Sequence, residues 1–427
     1  MDSRSPEFTR RDAKFPKIRC ISQKINLPKI DDLKKSILDN IREFGLGNYI
    51  KEGEKVAITA SSRGIKNQDV ILKTIISFLN QLGGKPFIIP AMGSHGGGTA
   101  EGQLKILKDY GITPERMNCP IISSMDVIKI GKSDIGCPIY IDKHVTSADK
   151  VIIVNKIKSH SKFVGDVESG LSKMCLLGLG KQEGAKEYHR YIDRHSWTEV
   201  VKSTRRVILD KVPIVCGVAI IENMKNETAE IHILNPNEFE NKEPELLKRY
   251  KDLTERLPFN EIDLLIVDEM GKNIFGTGMD TNITGKKPES KIHAQWLFVR
   301  DLTKETQGNA QGIGLADFTT KKLVDKIDFS KTYTNALTAY RTDSPKIPIF
   351  LNNDRDVLNT VLNLAGVKNP SEFRLLWIKN TLELHKMIIS ESLFNIVDST
   401  EDLSYIGDVE SIKFDSEGFL LNSKKYW

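Results

Sequence analysis

The stretch from Lys55 to Gly111 constrains the fold more than any other part of the chain. "KVAITA" (Lys55–Ala60) is an apolar run of strand length, and "QDVILKTIISFLNQLG" (Gln68–Gly83) follows with apolar residues at helical spacing and a glycine stop. A second apolar run, "KPFIIPAM" (Lys85–Met92), leads through a glycine-rich loop into "TAEGQLKILKDYG" (Thr99–Gly111), with Thr99 placed to cap the helix. Strand, helix, strand, helix at this spacing predicts parallel crossover units. Further strands are expected at "MDVIKIG" (Met125–Gly131) and "KVIIVNKI" (Lys150–Ile157). After the charged segment "NKEPELLKRYKDLTERLPFN", a new strand opens at "EIDLLIVDEMG" (Glu261–Gly271), with "IPIFLNN" (Ile347–Asn353) and a helical "DRDVLNTVLNLAG" (Asp354–Gly366) beyond it. The pattern predicts two α/β domains with mainly parallel sheets and a boundary near Pro258. The expected divisions are 1–257, 258–400 and a tail, 401–427, that packs back onto the body.

Composition narrows the function classes. A chain of 427 residues with 39% hydrophobic and 28% charged residues is an ordinary globular protein. The net charge of +5 is spread along the chain without a basic tract, which argues against nucleic acid as a partner. Five cysteines without a C-x-x-C pair argue against a disulfide framework and a classical zinc site. The longest apolar run, "VPIVCGVAII" (Val212–Ile221), is far below the roughly 20 residues of a membrane helix. The polar N-terminus has no apolar signal core, so a reduced cytoplasm is the expected location.

In open parallel sheets, the loops at the carboxyl ends of the strands line the ligand crevice. Three such loops concentrate polar chemistry here. "SSRG" places Arg63 after the first strand, and "GSHGGG" places His95 after the second. "KIKSHSKFVGDVESGLSK" brings Lys156, Lys158, His160 and Lys173 after a third. Glycines beside His95 let backbone approach a ligand closely, and two imidazoles suit proton transfer near neutrality. Each residue also has an ordinary reading as a solvated loop side chain, and at this level the two readings stand side by side. Nucleotide fingerprints fail. In "GDVESGLSK" no lysine directly follows the second glycine, and "GLGKQEG" (Gly178–Gly184) lacks the dinucleotide spacing. No nucleophile elbow, H-E-x-x-H or EF-hand loop is present.

"PAMGSHGGGTAEGQ", "NKIKSHSKFVGDVESGLSKM" and "LGLGKQEGAKEYHR" together resemble the nickel-dependent lactate racemase family, over roughly residues 55–195 and more loosely beyond. The resemblance implies two α/β domains with the active site in the cleft between them. It also implies a nickel pincer nucleotide (pyridinium-3,5-bisthiocarboxylic acid mononucleotide) tethered to a lysine. Carried over by motif, His95 and His160 are the acid–base pair, Lys173 the tether, and His189 in "KEYHR" the nickel ligand. Gly93, Ser94, Gly96 and Lys158 would line the cofactor, while Arg63 and Lys321, the latter in "ADFTTKKL", would hold substrate. The N-terminal domain would thus carry cofactor and histidines, and the C-terminal domain substrate contacts. The implied reaction is racemisation or 2-epimerisation of a small 2-hydroxy acid by hydride abstraction and return, with cofactor-synthesis proteins as partners. Ala60 replaces an acidic residue of the family's first substrate motif, the His160–Lys173 segment is longer, and "GLSK" replaces "GGRK". These departures imply a substrate other than lactate, such as a larger sugar acid. Two other readings stand beside this one: an oxidoreductase with freely bound nicotinamide, and a non-catalytic anion-binding protein using Arg63, Lys156 and Lys158. Asp268, Glu269 and Asp280 in "DEMGKNIFGTGMDTN" are read either as solvated loop carboxylates or as contacts for substrate or metal.

Overall fold

The computed structural model describes residues 13–24, 27–62, 64–160, 163–254, 257–288, 290–338 and 341–427. The chain forms two compact units: Leu27–Thr254, and a second that joins the N-terminal residues up to Asn26 to Glu255–Trp427. In chain order the strands are β1 (Lys17–Gln23), β2 (Lys55–Ala60), β3 (Lys85–Pro90), β4 (Val127–Lys132), β5 (Pro138–Asp142), β6 (Lys150–Lys156), β7 (Ile214–Glu222) and β8 (Thr228–Leu234). They continue as β9 (Glu261–Met270), β10 (His293–Leu302), β11 (Phe318–Thr320), β12 (Ile349–Leu351), β13 (Leu375–Ile378), β14 (Lys386–Ser390) and β15 (Leu403–Ser411).

In the unit Leu27–Thr254 the sheet order is β3-β2-β6-β7-β8, parallel except for β8. Its central strands are apolar on both faces because both faces are covered. Val56, Ile58, Ile152, Val154, Val218 and Ile220 enter one core, with Ile71, Leu72 and Ile75 of the helix Gln68–Gln81. The alternate residues Ala57, Val151, Ile153 and Ala219 enter the other, with Val200, Val201 and Ile208 of the helix Trp197–Lys211. This two-sided burial is what a parallel sheet requires. Thr99 caps the helix Ala100–Asp109, its side chain accepting from the Gly102 amide. "MDVIKIG" departs from expectation: β4 pairs antiparallel with β5 in a separate two-stranded sheet, and Ile139 and Ile141 of β5 serve the second core.

The other unit has an eight-stranded sheet, β12-β11-β10-β9-β13-β14-β1-β15. The run from β12 to β13 is parallel, and β14, β1 and β15 extend it antiparallel. The N-terminal segment, expected within a domain 1–257, thus pairs far along the chain. Ile18 and Cys20 of β1 fill a core with Ile266, Phe298 and Trp377, and β1 bridges β14 to the tail strand β15. Asp268 is committed to structure here. It pairs with Arg300, and its two oxygens accept from Trp377 Nε1 (2.6 Å) and Trp427 Nε1 (2.7 Å). Glu269 likewise accepts from Asn380 Nδ2 at 3.0 Å. Asp280 caps its own loop, accepting from the Asn282 amide at 2.9 Å.

Candidate active site

From Pro90, at the carboxyl end of β3, the chain turns sharply into the helix Ala100–Asp109. The turn needs glycine at two places. Gly93 has φ +58°, and a Cβ there would lie 2.9 Å from the Leu177 carbonyl oxygen. Gly96 has φ +68°, and its Cβ would lie 2.5 Å from the Gly102 carbonyl carbon. Packing within the chain alone therefore accounts for glycine at both positions. Ser94 and His95 are half-buried between them. The buried Gln103 amide holds the turn from beneath, its Nε2 donating to the carbonyls of Gly93 (3.0 Å) and His95 (3.4 Å). His95 Nδ1 pairs with Ser62 Oγ, on the loop that follows β2. The Ser62 carbonyl accepts from Tyr110 OH at 3.1 Å, so the loops after β2 and β3 are knitted together.

A second cluster forms around Phe163, where the loop after β6 meets two helices. Its ring stacks on His160 (centroids 4.3 Å apart, 11° between planes) and on Trp197 (4.0 Å, 8°). Lys173 Nζ lies 5.5 Å from the Phe163 centroid, and the His189 ring centroid lies 5.9 Å away. Three expected site residues, His160, Lys173 and His189, thus surround one buried aromatic ring. His160 is fixed further: its Nδ1 accepts from the Phe163 amide at 3.1 Å, and its own amide donates to the buried Glu168 at 2.7 Å. The Lys158 amide closes the loop by donating to the Ser169 carbonyl at 2.9 Å. Phe163→Leu is expected to cost about 1–3 kcal/mol of stability through lost stacking and packing. Thermal melts read that loss, and the His160 ring resonances should shift with it.

Lys173 ends the short turn Leu171–Lys173 and is followed by a wider π-type turn, Met174–Gly178, a geometry that recurs at functional sites. Beneath it lies Glu243, from the helix Phe239–Thr254, only 1% exposed. Both Glu243 oxygens accept from the Ser172 amide at 3.1 Å, and Ser172 Oγ donates to Oε2 at 2.5 Å. Burial pushes the Glu243 carboxyl up to about 7, against the pull of the Ser172 donors and of Arg205.

The remaining expected residues fall elsewhere. Lys321 belongs to the other unit, where its exposed ammonium pairs with Asp325 at 2.7 Å. Arg63 lies outside the described residues. Lys156 is engaged in structure: its Nζ pairs with the buried Glu222, at the end of β7, at 2.6 Å and donates to the Gly64 carbonyl at 3.2 Å. Sequence reading missed Ser62, Phe163, Glu222 and Glu243. Ser62 and Phe163 sit inside the quoted motifs, one residue from Arg63 and three from His160, but nothing in their residue types sets them apart.

The family model of the lactate racemase N-terminal domain matches residues 17–199. This part of the chain is similar to a lactate racemase N-terminal domain. The match begins at β1 and takes in His95, His160, Lys173 and His189, but not Lys321. Among curated proteins no sequence matches the chain. The lactate racemase apoprotein from Thermoanaerobacterium thermosaccharolyticum is similar in structure at 10% identity, covering 84% of each chain with a TM-score of 0.48. Among the described residues, no helix is long and apolar enough to cross a membrane.

Proposed function

We propose that this lactate racemase-like chain is a racemase or 2-epimerase of a 2-hydroxy acid other than lactate, working with a nickel pincer nucleotide tethered to Lys173. What supports this is the convergence of Lys173, His189 and His160 on the Phe163 ring inside the matched domain.

The residues present fit such a group. Among the described residues no three or more His, Cys, Asp or Glu gather to hold a metal by themselves. An organic group that brings its own sulfur and carbon donors needs only a tether and one imidazole, a suitable ligand for Ni(II). Lys173 and His189 are half-buried around one ring and can supply these two parts. Gly93, Ser94, Gly96 and Lys158 would lie along the organic group. When bound, the chemistry it supplies is reversible acceptance of the C2 hydrogen with its electron pair.

The chain's own part is the hydroxyl proton and the substrate's orientation. His160 Nδ1 accepts a backbone N–H, so its neutral ring carries its proton on Nε2 and presents a donor. His95 Nδ1 faces a serine hydroxyl, which can donate or accept, so its Nε2 can serve as base or acid. His95 is thus suited to take the hydroxyl proton; His160 gives one back when its ring is doubly protonated, with Nδ1 turned from the Phe163 amide, and is left neutral. Arg63 would hold the carboxylate by paired hydrogen bonds.

The test uses protein made in a host that co-expresses cofactor synthesis. A mass adduct on the peptide containing Lys173, near-stoichiometric nickel, and inversion of single enantiomers from a panel of 2-hydroxy acids are expected. An unmodified Lys173 without nickel, or net consumption of added NAD in place of inversion, would overturn the reading.

A further inference from the structure

We propose that the buried Lys181–Asp142 ion pair is a positioning device that, through Gln103, holds the His95 turn in register with the segment carrying Lys173 and His189. The catalytic meaning of that register rests on the acid–base reading of His95.

Lys181 opens the helix Lys181–Ile192, which carries His189, and its side chain is wholly buried. Its backbone is left-handed, with φ +53°. A buried ammonium and a left-handed non-glycine residue each cost stability, and here they coincide in one residue. Its Nζ lies 3.0 Å from Asp142 Oδ2, at the end of β5. It also donates to the Pro90 carbonyl, at the end of β3, and to Gln103 Oε1 at 3.3 Å. Two hydrogen bonds and a carboxylate oxygen at ion-pair distance place three oxygens around this nitrogen, a setting that suits an ammonium. Burial pulls the Lys181 ammonium toward neutrality and the Asp142 carboxylate opposes this.

The ammonium also fixes which way Gln103 points. With Oε1 turned to Lys181, the amide nitrogen faces the carbonyls of Gly93 and His95. A flipped amide would set N–H groups against the ammonium. The path thus runs from the helix of His189, through Lys181 and Gln103, to the backbone of His95. The same junction is joined by the Asp142 amide donating to the Leu179 carbonyl at 2.8 Å and the Gly93 amide to the Gly178 carbonyl at 3.4 Å. A buried ion pair is often replaceable by apolar side chains without loss of stability. Its use at this junction is then better explained by the geometry it imposes.

Lys181→Met strands a buried carboxylate and can fail to fold, so the deciding variant is Gln103→Leu, which leaves the ion pair in place. In the cofactor-free protein, hydrogen exchange by mass spectrometry should be about tenfold or more faster in peptides covering residues 90–99. Distant peptides should be unchanged. The His95 ring 15N resonances should move while those of His232 and His293 stay. In the loaded enzyme kcat should fall at least about tenfold with KM within about twofold, because misplacement of a reacting group lowers turnover rather than binding. Wild-type exchange in 90–99 with unmoved His95 resonances would overturn the proposal, as would a uniform rise in exchange across the chain. Failure of the acid–base reading shows separately, as full turnover by loaded His95→Ala, and leaves the exchange result intact.

Discussion

Loaded with cofactor, His95→Ala and His160→Ala should each lose about 10²–10⁴-fold in kcat, the usual contribution of a positioned acid or base. Both should stay folded, because neither ring anchors a core: His95 and His160 are half-buried, and the stack of Phe163 on Trp197 survives without His160. Nickel content and the Lys173 adduct should persist in both variants, since neither is expected to bind the metal. Catalysis leaves the equilibrium constant unchanged, so kcat/KM must fall by one factor in both directions. Turnover of either variant within about threefold of wild type would remove that histidine from proton transfer, set against the loss expected of a positioned acid or base. Ser62→Ala provides a graded comparison, with a smaller loss than His95→Ala, because it removes only the partner that orients the ring.

Glu243→Gln should change how stability depends on pH, and by a large amount. The wild-type carboxyl sits at about 7 in the folded chain against an ordinary 4.5. A raised carboxyl means that the native state keeps its proton where the unfolded chain has lost it. Its contribution is therefore fully present below about pH 4.5 and is lost as pH rises through about 7. The shift corresponds to about 3 kcal/mol once the group is ionised in both states. Glutamine stays neutral and keeps one acceptor for Ser172. The difference in unfolding free energy should accordingly move toward the glutamine variant by about 2.5 kcal/mol between pH 5 and pH 8, the remainder having been lost below pH 5. Urea melts of both proteins at the two pH values measure it, and parallel wild-type and variant curves would show that Glu243 does not titrate in this range.

The strands and helices from β2 to the helix Ala100–Asp109 were legible in sequence because each carries its own period and stop signal. A parallel strand buried on both faces is a short apolar run, and a capped helix announces its start. The charged segment before Pro258 shows the complementary case. Its residue types do not announce burial, yet residues Phe239–Thr254 are one helix that buries Glu243, Leu246 and Leu247. A carboxylate's burial depends on the donors that meet it, here Ser172, about 70 positions earlier in the chain.

Sequence by itself determined the α/β class and the strand-end loops that carry His95 and His160. These are local properties, set by periodicity, turn chemistry and residue type within short windows. Only the tertiary structure decided that β1 joins the sheet of the C-terminal unit, that Phe163 gathers His160, Lys173 and His189, and that Lys181 spans three elements from a buried position. Each of these rests on pairings between residues far apart in the chain. Their free energy comes from the burial and hydrogen bonds made when those residues meet, and no local pattern encodes which distant partner will arrive.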